Sequence, residues 1–359
     1  MNEHLIRRMF YILVIIVSYV LMSCSEEQSR VKHVTGSERD PIVVWMDVDP
    51  ANGIGEVDDG LMMIAGFQSK EIDVRGVSVV FGNSPVVYGA AIGGNIVKAF
   101  GPMDLKDVGV HVGASSSEEL GVENDAVNAL VKSLSELKSD EQMVILAVGP
   151  VTNIATTIQQ YPELIEKIKS IVIVASRRQG QLFLSGEMEA NKGKRGGFVD
   201  LNFENDIDAM RILMESEVEL TFVPWEVSSK VWITREDVDW LREYGGERGA
   251  YIYATTQHWF DTWEQEFGAG IGMGFNPFDT LALGYVIAPE LFKTEQMTAV
   301  IEEGLSDQAD EEMEMKDYLI VRKIGEGDVQ EEVIKEVTYV HDVDAKKFKE
   351  WLISRLKNK

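Results

Sequence analysis

From residue 42 onward the chain alternates short, nearly unbroken apolar runs with segments of helical period. "IVVWMDV" (42–48) is followed by "DDGLMMIAGFQS" (58–69), "DVRGVSVVFGN" (73–83) by "SPVVYGAAIGGNIVKAFG" (84–101), and "QMVILAVGP" (142–150) by "VTNIATTIQQYPELIEKI" (151–168). "SIVIVAS" and "VELTFVPW" continue the series. Val- and Ile-rich runs without polar alternation suit strands covered on both faces. The pattern therefore predicts a single α/β domain: an open, mostly parallel (mixed) sheet with helices on both faces. The closing segment "VDAKKFKEWLISRLKNK" has apolar residues at helical spacing and a basic end suited to a helix C-terminus.

Polar signatures fall where the predicted strands stop. Asp47 and Asp49 follow the first strand, Asn83 the second, and Thr152 and Asn153 the third. In open α/β sheets the ligand crevice lies outside the carboxyl ends of the strands, so these separate stretches point to one place. The acidic run "LSDQADEEMEMKD" (305–317) reads instead as a solvated loop. The segment 176–200, with Arg177, Arg178, Asn191, Lys192, Lys194 and Arg195, is the most basic stretch, and balancing nearby carboxylates is its favoured role over binding an anion.

Composition narrows the range of partners. The chain has 359 residues, 45% of them hydrophobic, and a formal net charge of -26. That supports a sizeable core and excludes nucleic acid, whose phosphates such a protein would repel. The first residues differ: Arg7 and Arg8 precede the apolar run "MFYILVIIVSYVLM", which ends at Ser23 and Cys24. This is the layout of an export signal, and "LMSC" resembles a bacterial lipoprotein cleavage box. The expectation is a signal peptide over 1–23, lipidation at Cys24, a flexible polar tether over 24–40 and the α/β domain over 41–359. The protein is then exported and anchored by lipid to a bacterial membrane, facing the periplasm or the surface. Cys24 is the only cysteine, so no internal disulfide is expected. Self-association into a homo-oligomer is left open.

The stretch "DVDPANGIGEVDDG" (47–60) sets Asp47, Asp49, Asp58 and Asp59 around a glycine-bearing loop. Crowded like charges call for open water or a cation. With no second cysteine and no close histidine pair, the donors are all oxygen, which suits Ca²⁺ or Mg²⁺ and disfavours zinc. The loop lacks the alternate-position pattern of an EF-hand, and Ala51 stands where an aspartate-nucleophile phosphatase would carry Thr. A purely structural ion remains the bland alternative.

"VVWMDVDP", "VDDGLMMIAGFQSKEIDVRGVSVVFGN", "GPVTNIA", "DLNFENDIDAM", "FDTLAL" and "YVHDVDAKKFKEWL" together resemble the inosine-uridine-type nucleoside hydrolases, over about residues 42–353. The resemblance implies Ca²⁺-assisted hydrolysis of the N-glycosidic bond of a ribonucleoside or related riboside. It also implies roles: Asp49 as metal ligand and base for the attacking water; Asp59, the Thr152 main-chain carbonyl and Asp279 as further ligands; Asp58, Asn83, Asp200 and Asn202 as contacts to ribose or water; and Asp47 in support. Two departures accompany it. Between Pro50 and Asp58 this chain has seven residues, "ANGIGEV", where the family has two, and Phe278 occupies the position where the family often has a histidine that protonates the leaving base. The candidate replacement region is "YIYATTQHWFDTWEQ" (251–265), with His258 as proton donor and Trp259 as a stacking surface, or else simply a helix burying its aromatic face. The rival from another class is a lipoprotein that binds nucleoside or sugar and has lost hydrolysis.

Overall fold

The computed structural model describes residues 40–181, 199–265, 267, 271–307, 314–325 and 333–357. The predicted signal peptide, Cys24 and nearly all of the tether lie outside the described residues, as do Asn191, Lys192, Lys194 and Arg195. Pro41–Lys359 form one compact unit.

The strands are β1 (Ile42–Val48), β2 (Ile72–Val79), β3 (His111–Val112), β4 (Met143–Ala147), β5 (Ile168–Ile173), β6 (Arg177–Arg178), β7 (Leu220–Phe222), β8 (Phe292–Leu305), β9 (Met315–Lys323) and β10 (Ile334–Val343). Among the described residues they form one sheet in the order β3-β2-β1-β4-β5-β7-β10-β8-β9-β6. Pairings from β3 to β10 are parallel, those of β8 with β10 and β9 antiparallel, and β6 lies parallel to β9. The order reverses on either side of β1, which puts the switch point of the sheet at the end of this strand.

Side chains of β1 alternate between two buried cores, as the period of two requires. Val44, Met46 and Val48 enter one, and Val43 and Trp45 the other. Trp45 fits because Gly76 on β2 has no side chain: a Cβ there would lie 2.2 Å from the indole. The pairing of β1 with β2 shifts register between Val44 and Trp45, beside that ring.

Helix Asp58–Phe67 follows the loop after β1 and packs against helix Phe278–Ile287. The starts of both helices carry aspartates, and helix Thr152–Gln160 opens at Thr152 after β4. The acidic run 305–317 is only partly a loop, since Leu305 closes β8 and Met315–Asp317 open β9; residues 308–313 lie outside the described residues. Among the described residues no helix is long and apolar enough to cross a membrane.

Candidate active site

The loop after β1 closes tightly. The Ala51 carbonyl accepts from the Ile54 and Gly55 N–H groups at 2.9 and 2.8 Å, Gly53 takes the left-handed conformation (φ +92°), and the Asn52 amide donates to the Val57 carbonyl at 2.9 Å. Gly60 leaves room for that amide: a Cβ would sit 2.3 Å from Asn52 Nδ2. His258 Nε2 donates to the Gly55 carbonyl at 2.7 Å, fastening the loop to helix Gly246–Gln265. The longer loop therefore returns the acidic pair to the strand end, where the Asp49 N–H donates to Asp59 Oδ1 at 2.9 Å.

Five carboxylates converge there. Oxygens of Asp49, Glu56 and Asp59 lie within 4.8 Å of one another, as do those of Glu56, Asp58 and Asp279. Glu56 is the member that sequence reasoning missed; its only signal was an acid two residues before the Asp58–Asp59 pair. All four aspartates are buried, and Asp58 Oδ1, Asp59 Oδ2 and Asp279 Oδ2 have no hydrogen-bond partner. Buried, unpaired carboxylate oxygens are costly, so such an arrangement calls for protons or a cation.

Asp49 is the most constrained of the five. Its carboxylate accepts from the Asn83 N–H (2.8 Å) and side-chain amide (3.2 Å), and it is hemmed in by Gly82 and Gly149, where a Cβ would lie 1.9 Å from Oδ2 and 3.1 Å from Cβ, respectively. Burial pushes Asp49 up to about 7, against the pull of the Asn83 hydrogen bonds. Asp58 is raised to about 6 by burial, opposed by main-chain N–H groups that include that of Asp279, 3.3 Å away. Burial and then the neighbouring negative charges hold Glu56, Asp59 and Asp279 well above the usual carboxylate range.

Asp47 stands behind the cluster. It accepts from the Ser78 hydroxyl and from the Asn153 amide (3.0 Å), while Ser78 in turn accepts from Trp45 Nε1 (2.7 Å). Asn153 also takes the Ala114 N–H at 2.9 Å, so the ends of β1, β2 and β4 are tied together. Thr152 is buried at its helix start, and its hydroxyl donates to Asp206.

Three of the five carboxylates, Glu56, Asp58 and Asp279, line a cavity of about 240 Å³, the scale of a small molecule, whereas Asp49 and Asp59 are not among its lining residues. Asn83 lines it as well. So do Asp200 and Asn202; the Asn202 amide donates to the Val148 and Val174 carbonyls (2.8 and 2.9 Å), leaving its oxygen to accept from a ligand. Asp200 accepts from the Ser176 N–H at 2.8 Å, and burial raises it to about 7 although Arg177 and Lys316 oppose this. Ser176 holds a positive φ of 81°, a strained conformation for a residue with a side chain, next to this contact.

The remaining wall is apolar, with Trp225, Trp259, Trp263, Phe267 and Phe278 beside aliphatic residues such as Val148 and Val174. Phe278 is tilted at 36° against Trp263, 6.3 Å between centroids. Trp259 Nε1 is buried without a hydrogen-bond partner among the described residues. Helix Gly246–Gln265 thus both packs in the core, through Phe260 and Trp263, and lines the cavity through Trp259 and Trp263. His258, the candidate proton donor, is not among the residues lining the cavity, and its Nε2 donates to the Gly55 carbonyl, which ties the loop to this helix. Arg177 pairs with Asp307, and Arg178 with Glu226 and Glu295, so these two charges balance carboxylates.

Comparison with known proteins adds an independent line. A family described as "Inosine-uridine preferring nucleoside hydrolase" matches residues 44–350. The chain is 24% identical over 276 residues to the pyrimidine-specific ribonucleoside hydrolase RihA of Salmonella newport, covering 70% of this chain and 81% of that one. It is 23% identical to the probable uridine nucleosidase 1 of Oryza sativa subsp. japonica, over 71% and 78% of the two chains. In fold it resembles the plant nucleoside hydrolase PpNRh1 (TM-score 0.69, 16% identity, 89% of this chain and 100% of that one). A purine-preferring ribonucleoside hydrolase from Gardnerella vaginalis is similar too (TM-score 0.64, 19% identity, 88% and 98%).

Proposed function

This chain belongs to the inosine-uridine preferring nucleoside hydrolase family, enzymes that hydrolyse N-glycosidic bonds, and from that premise we propose that it cleaves a ribonucleoside or closely related riboside to free base and ribose with Ca²⁺ bound. The observation that carries the reading is the meeting of buried carboxylates, three of them with unpartnered oxygens among the described residues, with a cavity that Glu56, Asp58, Asp279 and several aromatic side chains line.

The residues fit a hard cation, since every donor is oxygen and the buried orphan oxygens of Asp59 and Asp279 need a positive partner. Asp49, Asp59 and Asp279, with the Thr152 main-chain carbonyl, would hold it. When bound, the cation supplies the positive charge that makes a water easier to deprotonate. Asp49 takes the proton, oriented by both donors of Asn83 and fixed between two glycines. As the base departs, positive charge grows on the sugar, and the carboxylates lining the cavity stabilise it. The Asn202 oxygen and Asp200 accept from sugar hydroxyls. The aromatic wall stacks on the base, with Trp259 Nε1 as a donor to it.

At the N-terminus, the proposal extends to lipidation at Cys24, with the domain tethered outside the cytoplasm. The test of activity is release of free base from a nucleoside panel by purified protein with Ca²⁺, followed by chromatography. Turnover lost in chelator and in Asp49→Ala is the expected result. Intact nucleoside throughout the panel, even if bound, would sink the hydrolytic reading in favour of a binding protein.

A further inference from the structure

We propose that Glu56, carried on the loop of residues 51–57, is an additional carboxylate ligand of the cation at this site. The inference rests on the cation site proposed above and concerns a residue in a segment where the resembled family has only two positions.

Glu56 is the one residue common to both carboxylate groups: an oxygen lies within 4.8 Å of those of Asp49 and Asp59, and likewise of those of Asp58 and Asp279. The residues it approaches include Asp58, Asp59 and Asp279, at most 3% exposed, each of which has one buried oxygen without a hydrogen-bond partner among the described residues. A carboxylate pointed outward from a loop would avoid this company, because like charges at such separation repel strongly. Glu56 is instead brought to it by a turn with its own internal ties: the Ala51 carbonyl bonds, the Asn52 amide on Val57, and the His258 clasp on Gly55 immediately before it. Glu56 also lines the cavity, so it has access to an ion entering by that route. Ca²⁺ accepts six to eight oxygens in flexible geometry, and its affinity follows the number and charge of the ligands. A further carboxylate therefore fits both the ion's ligand number and its charge.

The test uses the full chain and the metal alone. Ca²⁺ binding is measured by calorimetry for the wild type, Glu56→Gln and Asp279→Asn. The number of bound waters is read from Tb³⁺ luminescence lifetimes in light and heavy water. If Glu56 is a ligand, Glu56→Gln weakens Ca²⁺ binding by about tenfold or more and adds roughly one bound water to Tb³⁺. Unchanged Ca²⁺ affinity and unchanged hydration in Glu56→Gln, alongside weakened binding in Asp279→Asn, would overturn the role of Glu56 and leave the cation site standing. Absence of binding by the wild type would remove both. Should Glu56→Gln fold poorly, Glu56→Asp keeps the charge on a shorter arm. Weakened binding and one added water are again expected, and wild-type values for both would overturn the proposal.

Discussion

At the residue scale, the arrangement sets several carboxylates in surroundings that disfavour charge, each for a stated reason. Asp200 is the clearest case away from the proposed cation. Its folded-state value of about 7, against an ordinary 3.8, means that the folded chain keeps a proton between these values which the unfolded chain has released. Stability from this residue therefore falls as pH rises from about 4 to about 7. Asp200→Asn keeps an oxygen for the Ser176 N–H but has no charge to bury. Thermal melts should show the variant matching the wild type near pH 4 and exceeding it above pH 7, with equal melts at both pH values counting against the assignment. Phe278 leads to a second expectation. A phenyl ring cannot deliver a proton, and a positioned acid contributes 10²–10⁴-fold in rate. The enzyme should therefore favour ribosides whose leaving group is a stable anion, such as 4-nitrophenol, over purine nucleosides. Steady-state kcat/KM on the two classes tests this, and equal values would place an unrecognised acid beside the base. Asp49, Asp58 and Asp59 could be read from the order of residues because aspartates cluster after an apolar run, whereas Asp279 came only from the resemblance of "FDTLAL" to a family motif. Glu56 could not, because its role depends on how a loop folds back.

At the scale of elements, the 51–57 loop is the feature with most consequence. It is clasped by a side chain from a helix some two hundred positions away, and His258 would be judged wrongly if read only from its aromatic neighbourhood. His258→Ala removes one hydrogen bond to a carbonyl, a loss of about 1 kcal/mol in stability. Activity should fall by less than about tenfold, well short of the loss expected for a general acid. A loss of 10²-fold or more in kcat with an unchanged melt would restore the proton-donor role. The parallel strands and the helices after them were legible because both faces of those strands are buried, which leaves unbroken apolar runs. β8, β9 and β10 were not: β8 reads "FKTEQMTAVIEEGL", with exposed charged residues through its first half, and its partners resemble it. Such strands depend on their neighbours in the sheet more than on their own apolar content.

For the whole molecule, charge sets the context. With a net charge of -26 the protein repels anions and concentrates cations around itself, and the carboxylate cluster adds local repulsion to a chain already self-repelling. Ca²⁺ should relieve that strain. At a concentration 100 times its Kd, an ion binding only the folded state adds about 2.7 kcal/mol, a rise of a few degrees in Tm. The gain should be lost in chelator, and a Tm indifferent to Ca²⁺ would argue that protons, not a metal, settle the cluster. The proposed anchor is separate from these effects, and loss of acyl labelling in Cys24→Ser would identify it.

β1 is an interior strand of its sheet, paired on both edges by parallel neighbours, and Asp49 follows its last residue. Hydrogen exchange should therefore find the amides leading to the proposed base among the last to open, close to the limit set by complete unfolding. The reacting end of the molecule would then be tuned by swapping peripheral walls and loops, while the proton-handling carboxylate stays on a foundation that cannot loosen without dismantling the domain.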